Sequence, residues 1–229
     1  MSRIHALAWA LSLCLLLGAC ARPPGPAVAP QWLGTGDLGL VVERADGRLQ
    51  LVNTSSRSAL GRIEGLGDLS HASIVYGRDG LHAYVFGRDG ALSKVHLGER
   101  RVVARIQQAG NSIGGAISQD GRLVVAQNYQ PGGIKVFDAQ TLQPLADIPA
   151  EYAPGKFSRV VGLADLPGQR FIYALFDADE IWIADLADPR SPKLQRFRNI
   201  GRQGLQEQLV HGGIDVGAVG QDFGHGGAT

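Results

Sequence analysis

The stretch that decides the fold is residues 68–97, DLSHASIVYGRDGLHAYVFGRDGALSKVHL. Three short apolar runs, 72–76, 81–86 and 92–95, are separated by Arg-Asp-Gly at 78–80 and again at 88–90. Asp-Gly between β-rich runs marks tight hairpins, because glycine accepts a positive φ at little steric cost. The stretch therefore predicts a meander of antiparallel strands, which opens on His71 and carries Arg88 in its second turn.

Working outward, the last of these runs recurs. LQLVN starts at residue 49, LSKVH at 92, IKVFD at 134 and IWIAD at 181, about 42 to 47 residues apart. A β-rich unit of that period is the signature of propeller blades, each a four-stranded sheet. With strands named A to D from the axis outwards, the second blade is expected at 71–76, 81–86, 92–97 and 102–106. The third is expected at 114–118, 122–127, 133–138 and 145–149, and the fourth at 158–164, 170–175, 180–185 and 193–197. The first unit offers only strands B, C and D, at 38–43, 48–53 and 59–63. Propellers commonly complete such a blade with a strand from the other chain end, which limits exposed edges. The expectation is an all-β chain with about four propeller blades over 33–203. After Gln203 the pattern lapses. The Gly-rich segment 204–229 reads as foreign to the fold, the product of a shifted reading frame or misplaced stop, or else as a native flexible tail.

Composition agrees with a turn-rich β protein. The 229 residues include 32 glycines, and aromatics are only 7%. With 22 basic against 21 acidic residues the formal charge is +1, which argues against an extended nucleic-acid surface. The N-terminus reads as an address. Arg3 precedes an apolar run at 6–17 that is too short for a membrane span. It ends in Leu-Gly-Ala-Cys at 17–20, which resembles the lipobox of bacterial lipoproteins. That resemblance implies a signal peptide over 1–19, lipid on Cys20, and a Pro-rich tether over 20–32. It also implies a periplasmic protein anchored to a bacterial membrane, the outer one since Ala21 rather than Asp follows the cysteine. A plain secretory signal is the alternative. Once 1–19 is removed, Cys14 goes with it and no disulfide partner remains for Cys20.

Blade topology predicts where the polar residues gather. In an up-and-down blade the D–A connections and B–C turns open on one face. His71 falls in a D–A connection, and Arg44, Arg88, Asn128 and Tyr129 fall in or beside B–C turns. Arg78 and Arg122 fall in A–B turns on the other face. Neutral imidazole is a good iron ligand, and guanidinium forks pair bidentately with carboxylates. An iron tetrapyrrole offers both an iron and peripheral carboxylates. The same residues also read as plain structure: a hydrogen-bonded histidine at a strand start, solvated turn arginines, and a tyrosine packed across its turn. His82 and His96 alternate with apolar neighbours and are expected to face solvent. There is no C-x-x-C-H haem c motif, phosphate loop or serine nucleophile elbow.

These residues also carry a family resemblance. SHASIVYGRDGLHAYVFGRDGALSKVHL resembles the stretch of the d1-haem domain of cytochrome cd1 nitrite reductases that begins with the proximal haem-iron histidine. There a pattern close to H-I-S-x-x-S-x-x-G-R-Y-x-x-V-x-G-R-D follows. His71, Gly77, Gly87, Arg88 and Asp89 match in kind, with Asp-Gly inserted at 79–80. RADGRLQLVN resembles R-D-A-G-Q-I-A-L-I-D of the same domain, and QNYQPGGIKVFDAQTLQP resembles Y-W-P-P-Q-F-A-I-M-D-G-E-T-L-x-P of its next blade. The likeness covers about 33–203 and is loosest in the fourth blade. With a lipobox and no haem c, the chain resembles the haem d1 biosynthesis proteins that share this domain. That family implies an eight-bladed propeller, of which this chain holds the first half. It implies binding of haem d1 or its dihydro-type precursor, an iron tetrapyrrole, with a dehydrogenase-type oxidation of the macrocycle as the suggested activity. By the residue match His71 ligates the iron or acts as a general acid/base, Arg44 and Arg88 hold peripheral carboxylates, and Asn128 and Tyr129 lie near the rim. The family's distal groups come from later blades. Implied partners are nitrite reductase and a NirN-like maturation protein. A propeller scaffold or haem d1 carrier that binds proteins at the membrane is the alternative. A metal-dependent hydrolase or lyase is favoured least, since Asp177 and Asp179 are the only nearby carboxylate pair, with Glu180 following.

Overall fold

A computed structural model describes residues 35–200. The expected signal peptide 1–19, Cys20, the tether 20–32 and the tail 204–229 lie outside the described residues. Within them the expected repeat is present. The first sheet has three strands, β1 (Leu38–Glu43), β2 (Arg48–Asn53) and β3 (Ser58–Ile63). The second has four, β4 (Ser73–Tyr76), β5 (His82–Phe86), β6 (Ala91–His96) and β7 (Arg101–Gln107). The third comprises β8 (Asn111–Ile117), β9 (Leu123–Gln130), β10 (Ile134–Asp138) and β11 (Pro144–Ile148). A separate hairpin follows, β12 (Glu151–Ala153) and β13 (Lys156–Phe157). The last sheet is β14 (Val160–Leu166), β15 (Arg170–Leu175), β16 (Glu180–Asp185) and β17 (Lys193–Arg198). All pairings are antiparallel between consecutive strands. The first strands of the last three sheets meet, β8 lying against β4 on one side and β14 on the other, as the inner strands of neighbouring blades do.

The apolar runs that predicted the strands also explain how the blades stack. Side chains alternate along a strand, so a strand buried on both faces needs an unbroken apolar run. In β5, Ala83 and Val85 point into the core shared with the first blade, beside Leu49, Leu51 and Ile63. Tyr84 and Phe86 point the other way, into the core shared with the third blade, beside Val124, Ala126 and Phe137. A third core, around Val125, Val136, Phe171, Tyr173 and Trp182, joins blades three and four. Polar links run across these seams. The Tyr84 hydroxyl donates to the Ala139 carbonyl at 2.6 Å, and burial pushes its pKa up to about 12, so it remains a donor. Lys94 donates to the Gln140 carbonyl at 3.0 Å.

The Asp-Gly turns form for the expected reason. Gly80 and Gly90 have φ of 67° and 80°. Asp79 Oδ1 accepts from the Leu81 and His82 amides, and Asp89 Oδ1 from that of Ala91. His82 and His96 do not simply face solvent. They are a cross-strand pair, half-buried, with ring centroids 4.9 Å apart, and His82 is held by Asp79 at 2.7 Å. The β12–β13 hairpin was not expected.

B–C turns carry a further constraint. Each packs against the D–A connection that leads into the next blade. A Cβ on Gly90 would lie 2.1 Å from the Ala109 carbonyl oxygen, one on Gly47 2.4 Å from that of Gly67, and one on Gly132 2.4 Å from that of Ser158. At Gly90 both the positive φ and the backbone crossing exclude a side chain. Gly90→Ala is expected to lower the unfolding free energy by about 2–4 kcal/mol in urea denaturation. Gly168→Ala, at φ +77° with nothing within 4 Å of the added carbon, is expected to cost about 1 kcal/mol. Equal effects at the two sites would show that turn strain, not the crossing, governs Gly90.

Candidate functional site

The crossing between blades one and two holds the loop that carries His71. Leu69 is fully buried in the seam between them and anchors that loop. Its neighbours Asp68, Ser70 and His71 are exposed. Arg44, in the turn after β1, donates from Nη1 to the Ser70 carbonyl at 2.6 Å. The Arg88 amide, from the second blade's B–C turn, donates to the Asp68 carbonyl at 2.9 Å. Asp68 Oδ1 accepts from the Ser70 amide at 2.8 Å. Hydrogen bonds from Ser70 hold the Asp68 carboxyl below its usual range, and the Arg88 charge adds to this. The expected grouping of Arg44, His71 and Arg88 on one face is therefore present at backbone level. Among the described residues the His71 imidazole and the Arg88 guanidinium make no hydrogen bond or ion pair, so both remain available to a ligand.

The third blade departs from the expected picture at one residue. Asn128 is not a rim group. It is fully buried and exchanges two amide hydrogen bonds with Gln108, at 2.9 and 3.0 Å. Burial demands that pairing, because an amide in a protein interior must be satisfied. Asn128 thus supports the turn from beneath. Tyr129, the next residue, is half-buried near the turnward end of β9, before the cis Gln130–Pro131 bond. Buried oxygens of Asn111 and Gln127 lack hydrogen-bond partners, which leaves acceptor capacity at this junction for water or a ligand donor.

A residue not singled out from sequence completes the face. Arg159 sits directly before β14, where the sheet register aligns it with Ala72, the residue after His71; its place before the first strand of a repeat is the available signal. Its Nε and Nη2 donate to Asp177 at 3.0 and 2.6 Å, and its amide donates to Asp177 at 3.0 Å. These bonds hold the Asp177 carboxyl below its usual range. The guanidinium lies 4.1 Å from the Phe176 ring centroid and 5.9 Å from that of Tyr129. Asp177, read from sequence as a weak metal candidate, is thus committed to an arginine. Among the described residues no group of three or more His, Cys, Asp or Glu side chains is placed to hold a metal.

The opposite face is also richer than expected. Arg78 is not an ordinary turn residue. It reaches the Ser118 carbonyl at 3.3 Å and the Asp165 carboxylate at 3.5 Å, linking three blades. It borders a cavity of about 410 Å³ between the ends of β4, β8 and β14, lined by Ile74, Tyr76, Ile117 and Leu163 among others. This cavity is at the far end of the inner strands from His71.

Comparison with known proteins assigns the chain to a family. Residues 33–212 match the family described as the cytochrome D1 heme domain, and the chain belongs to that family. Two proteins named NirF are similar to it. That of Pseudomonas aeruginosa is 55% identical over 195 residues, which is 84% of this chain and 48% of that protein. That of Stutzerimonas stutzeri is 54% identical over 211 residues, 90% of this chain and 52% of that protein. The chain thus spans about half the length of the curated relatives it matches. Among solved structures, the dihydro-heme d1 dehydrogenase NirN in complex with DHE superposes with a TM-score of 0.63 at 28% identity, over 78% of this chain and 38% of that one.

The supporting role of Asn128 is measurable. Asn128→Ala strands the buried Gln108 amide and is expected to cost about 2–3 kcal/mol of stability in urea unfolding. Replacing both residues by leucine is expected to recover part of that loss, with a coupling of about 1 kcal/mol or more in the double-mutant cycle. Additive effects would remove Asn128 from this role.

Proposed function

We propose that this chain binds an iron tetrapyrrole of the haem d1 type, a late dihydro-type precursor or haem d1 itself, on the His71 face. In this reading it serves haem d1 biosynthesis and so the maturation of cytochrome cd1 nitrite reductase, alongside a NirN-like protein. Support comes from the family, from the similarity to NirF, and from the chemistry of the donor set. The single observation that carries the reading is the grip of Arg44 on the Ser70 carbonyl, which sets a guanidinium beside the loop that presents a free imidazole.

Each residue has a definite task. His71 is the residue that would hold the iron, through an imidazole nitrogen. Arg44 spends one N–H on Ser70 and keeps its others for a peripheral carboxylate. Arg88, unpaired among the described residues, takes a second carboxylate as a charge-assisted bond. Tyr129 lines the rim. The bound group supplies the redox-active macrocycle. His71, Arg44 and Arg88 together would hold it in one orientation.

The test is spectroscopic. The wild-type chain mixed with haem d1 is expected to show a histidine-ligated absorption spectrum, and His71→Ala is expected to abolish that signature while leaving the melting temperature unchanged. An identical spectrum in the variant would remove His71 as the ligand.

We also propose that the chain is a lipoprotein held at the periplasmic side of the outer membrane through Cys20. Among the described residues no helix is long and apolar enough to cross a membrane. Cys20→Ser is expected to abolish incorporation of radiolabelled palmitate and to move the protein from the membrane pellet to the soluble fraction. Unchanged labelling would reject Cys20 as the anchor.

A further inference from the structure

We propose that Arg159 and Phe176, with Tyr129, form a second contact wall on the same face, one that takes a carboxylate-bearing edge of a flat ligand. The inference rests on the reading above and adds to it the residues that face the ligand from blade four. Same-face placement follows from hydrogen bonds, not from analogy. The Gly133 amide of the third blade's B–C turn donates to the Ser158 carbonyl at 3.3 Å, and the Asp177 amide of the fourth blade's turn donates to Ser158 Oγ at 2.9 Å. Ser158 and Arg159 therefore enter blade four at the end where B–C turns cross D–A connections, as Ser70 and His71 enter blade two.

Three features distinguish this cluster from an ordinary turn brace. First, Phe176 is 60% exposed, the highest of the exposed large hydrophobics among the described residues. It stands on a turn, where a polar residue would serve the turn equally well. Second, the Arg159 guanidinium is stacked on that ring at 4.1 Å, so cation and aromatic surface are presented as one unit. Third, Asp177 occupies only Nε and Nη2. A guanidinium has five N–H donors in a planar fork, so Nη1 and its edge stay available for a second acceptor. Asp177 aims the fork without exhausting it. A planar ring bearing acidic side chains fits such a surface: the ring covers Phe176 and Tyr129, and a carboxylate reaches Arg159.

Iron(III) coproporphyrin, a flat macrocycle with peripheral propionates, is the probe. It is titrated into the full chain while both the Soret band and intrinsic fluorescence are followed. Arg159→Ala and Phe176→Ala are each expected to weaken binding about tenfold, the loss of one charge-assisted or stacking contact. The histidine-ligated band of the bound form is expected to remain. Arg159→Lys is expected to restore little, because an ammonium lacks the flat fork. Asp177→Asn separates ligand contact from turn integrity. It keeps the shape of the brace and removes a carboxylate that repels the probe, so binding at least as tight as wild type supports the proposal. Weakening equal to that of Arg159→Ala assigns the effect to the turn and overturns it. Wild-type affinity in both Arg159→Ala and Phe176→Ala also overturns it. If His71→Ala leaves the spectrum unchanged while Arg159→Ala still weakens binding, the wall stands and the iron-ligand assignment falls. No binding to the wild-type chain rejects both.

Discussion

The arrangement depends on one repeated constraint, the crossing of a B–C turn over the backbone that leads into the next blade. At Gly47, Gly90 and Gly132 a carbonyl oxygen lies where a Cβ would be. Such an approach brings two polar segments within hydrogen-bonding distance at every blade junction. Buried or not, their amides and carbonyls need partners, and each junction supplies them differently. Between blades one and two the partner is an arginine, Arg44 to Ser70. Between blades three and four it is backbone, Gly133 to Ser158. The apolar seams set how far apart the blades stand, and the glycine crossings set which end of them carries adjacent side chains.

That geometry explains why the residues with chemistry sit where they do. Two junctions on this face bring a residue at or near a B–C turn to a connection residue: Arg44 to the His71 loop and Tyr129 to Arg159. The second strands of blades two and three, β5 and β9, are committed to packing. Val125 and Phe86 are fully buried and leave no room for functional substitution. Turn tips and connections escape that demand, and so are where imidazole and guanidinium groups can be placed without a desolvation penalty. Half-exposure suits them further. A fully buried guanidinium would be expensive unless paired, whereas Arg88 can stay unpaired among the described residues and still keep a flat, weakly hydrated face for a ligand.

Much of this was readable from sequence because the repeat is strict in its C strands and in its Asp-Gly turns. LSKVH, IKVFD and IWIAD fall in β6, β10 and β16, and the Asp side chains of the turns bond the amides their spacing implies. What escaped reading has physical causes. The β12–β13 hairpin spans only a few residues, EYAPGKF, too short for alternation to show. Asn128 was misplaced because a turn position and a buried amide look alike until the partner, Gln108, is known, and that partner is 20 residues away in another strand connection. Arg78 was misread for a similar reason: its acceptors, Ser118 and Asp165, belong to the next two blades. Arg159 differs from these: it directly precedes the first strand of a repeat, but apolar strand patterns carry no information on the residues before them.

At Arg159 the internal partners are weak enough to yield to a ligand. Its pair with Asp177 is partly exposed, with side-chain exposures of 43% and 32%. An ion pair so placed is weak, because solvent screens it. It is too weak to hold a guanidinium against a competing carboxylate of a bound ligand, yet enough, with the Phe176 stack, to restrict the fork to one plane when no ligand is there. Arg44 shows the same economy by a different route, with one donor tied to a neutral carbonyl and no carboxylate in competition. A flat, polyanionic ligand crossing from blade one to blade four would therefore meet two aimed guanidinium groups whose internal partners are weak. The face is ordered before binding, and little has to be broken to bind.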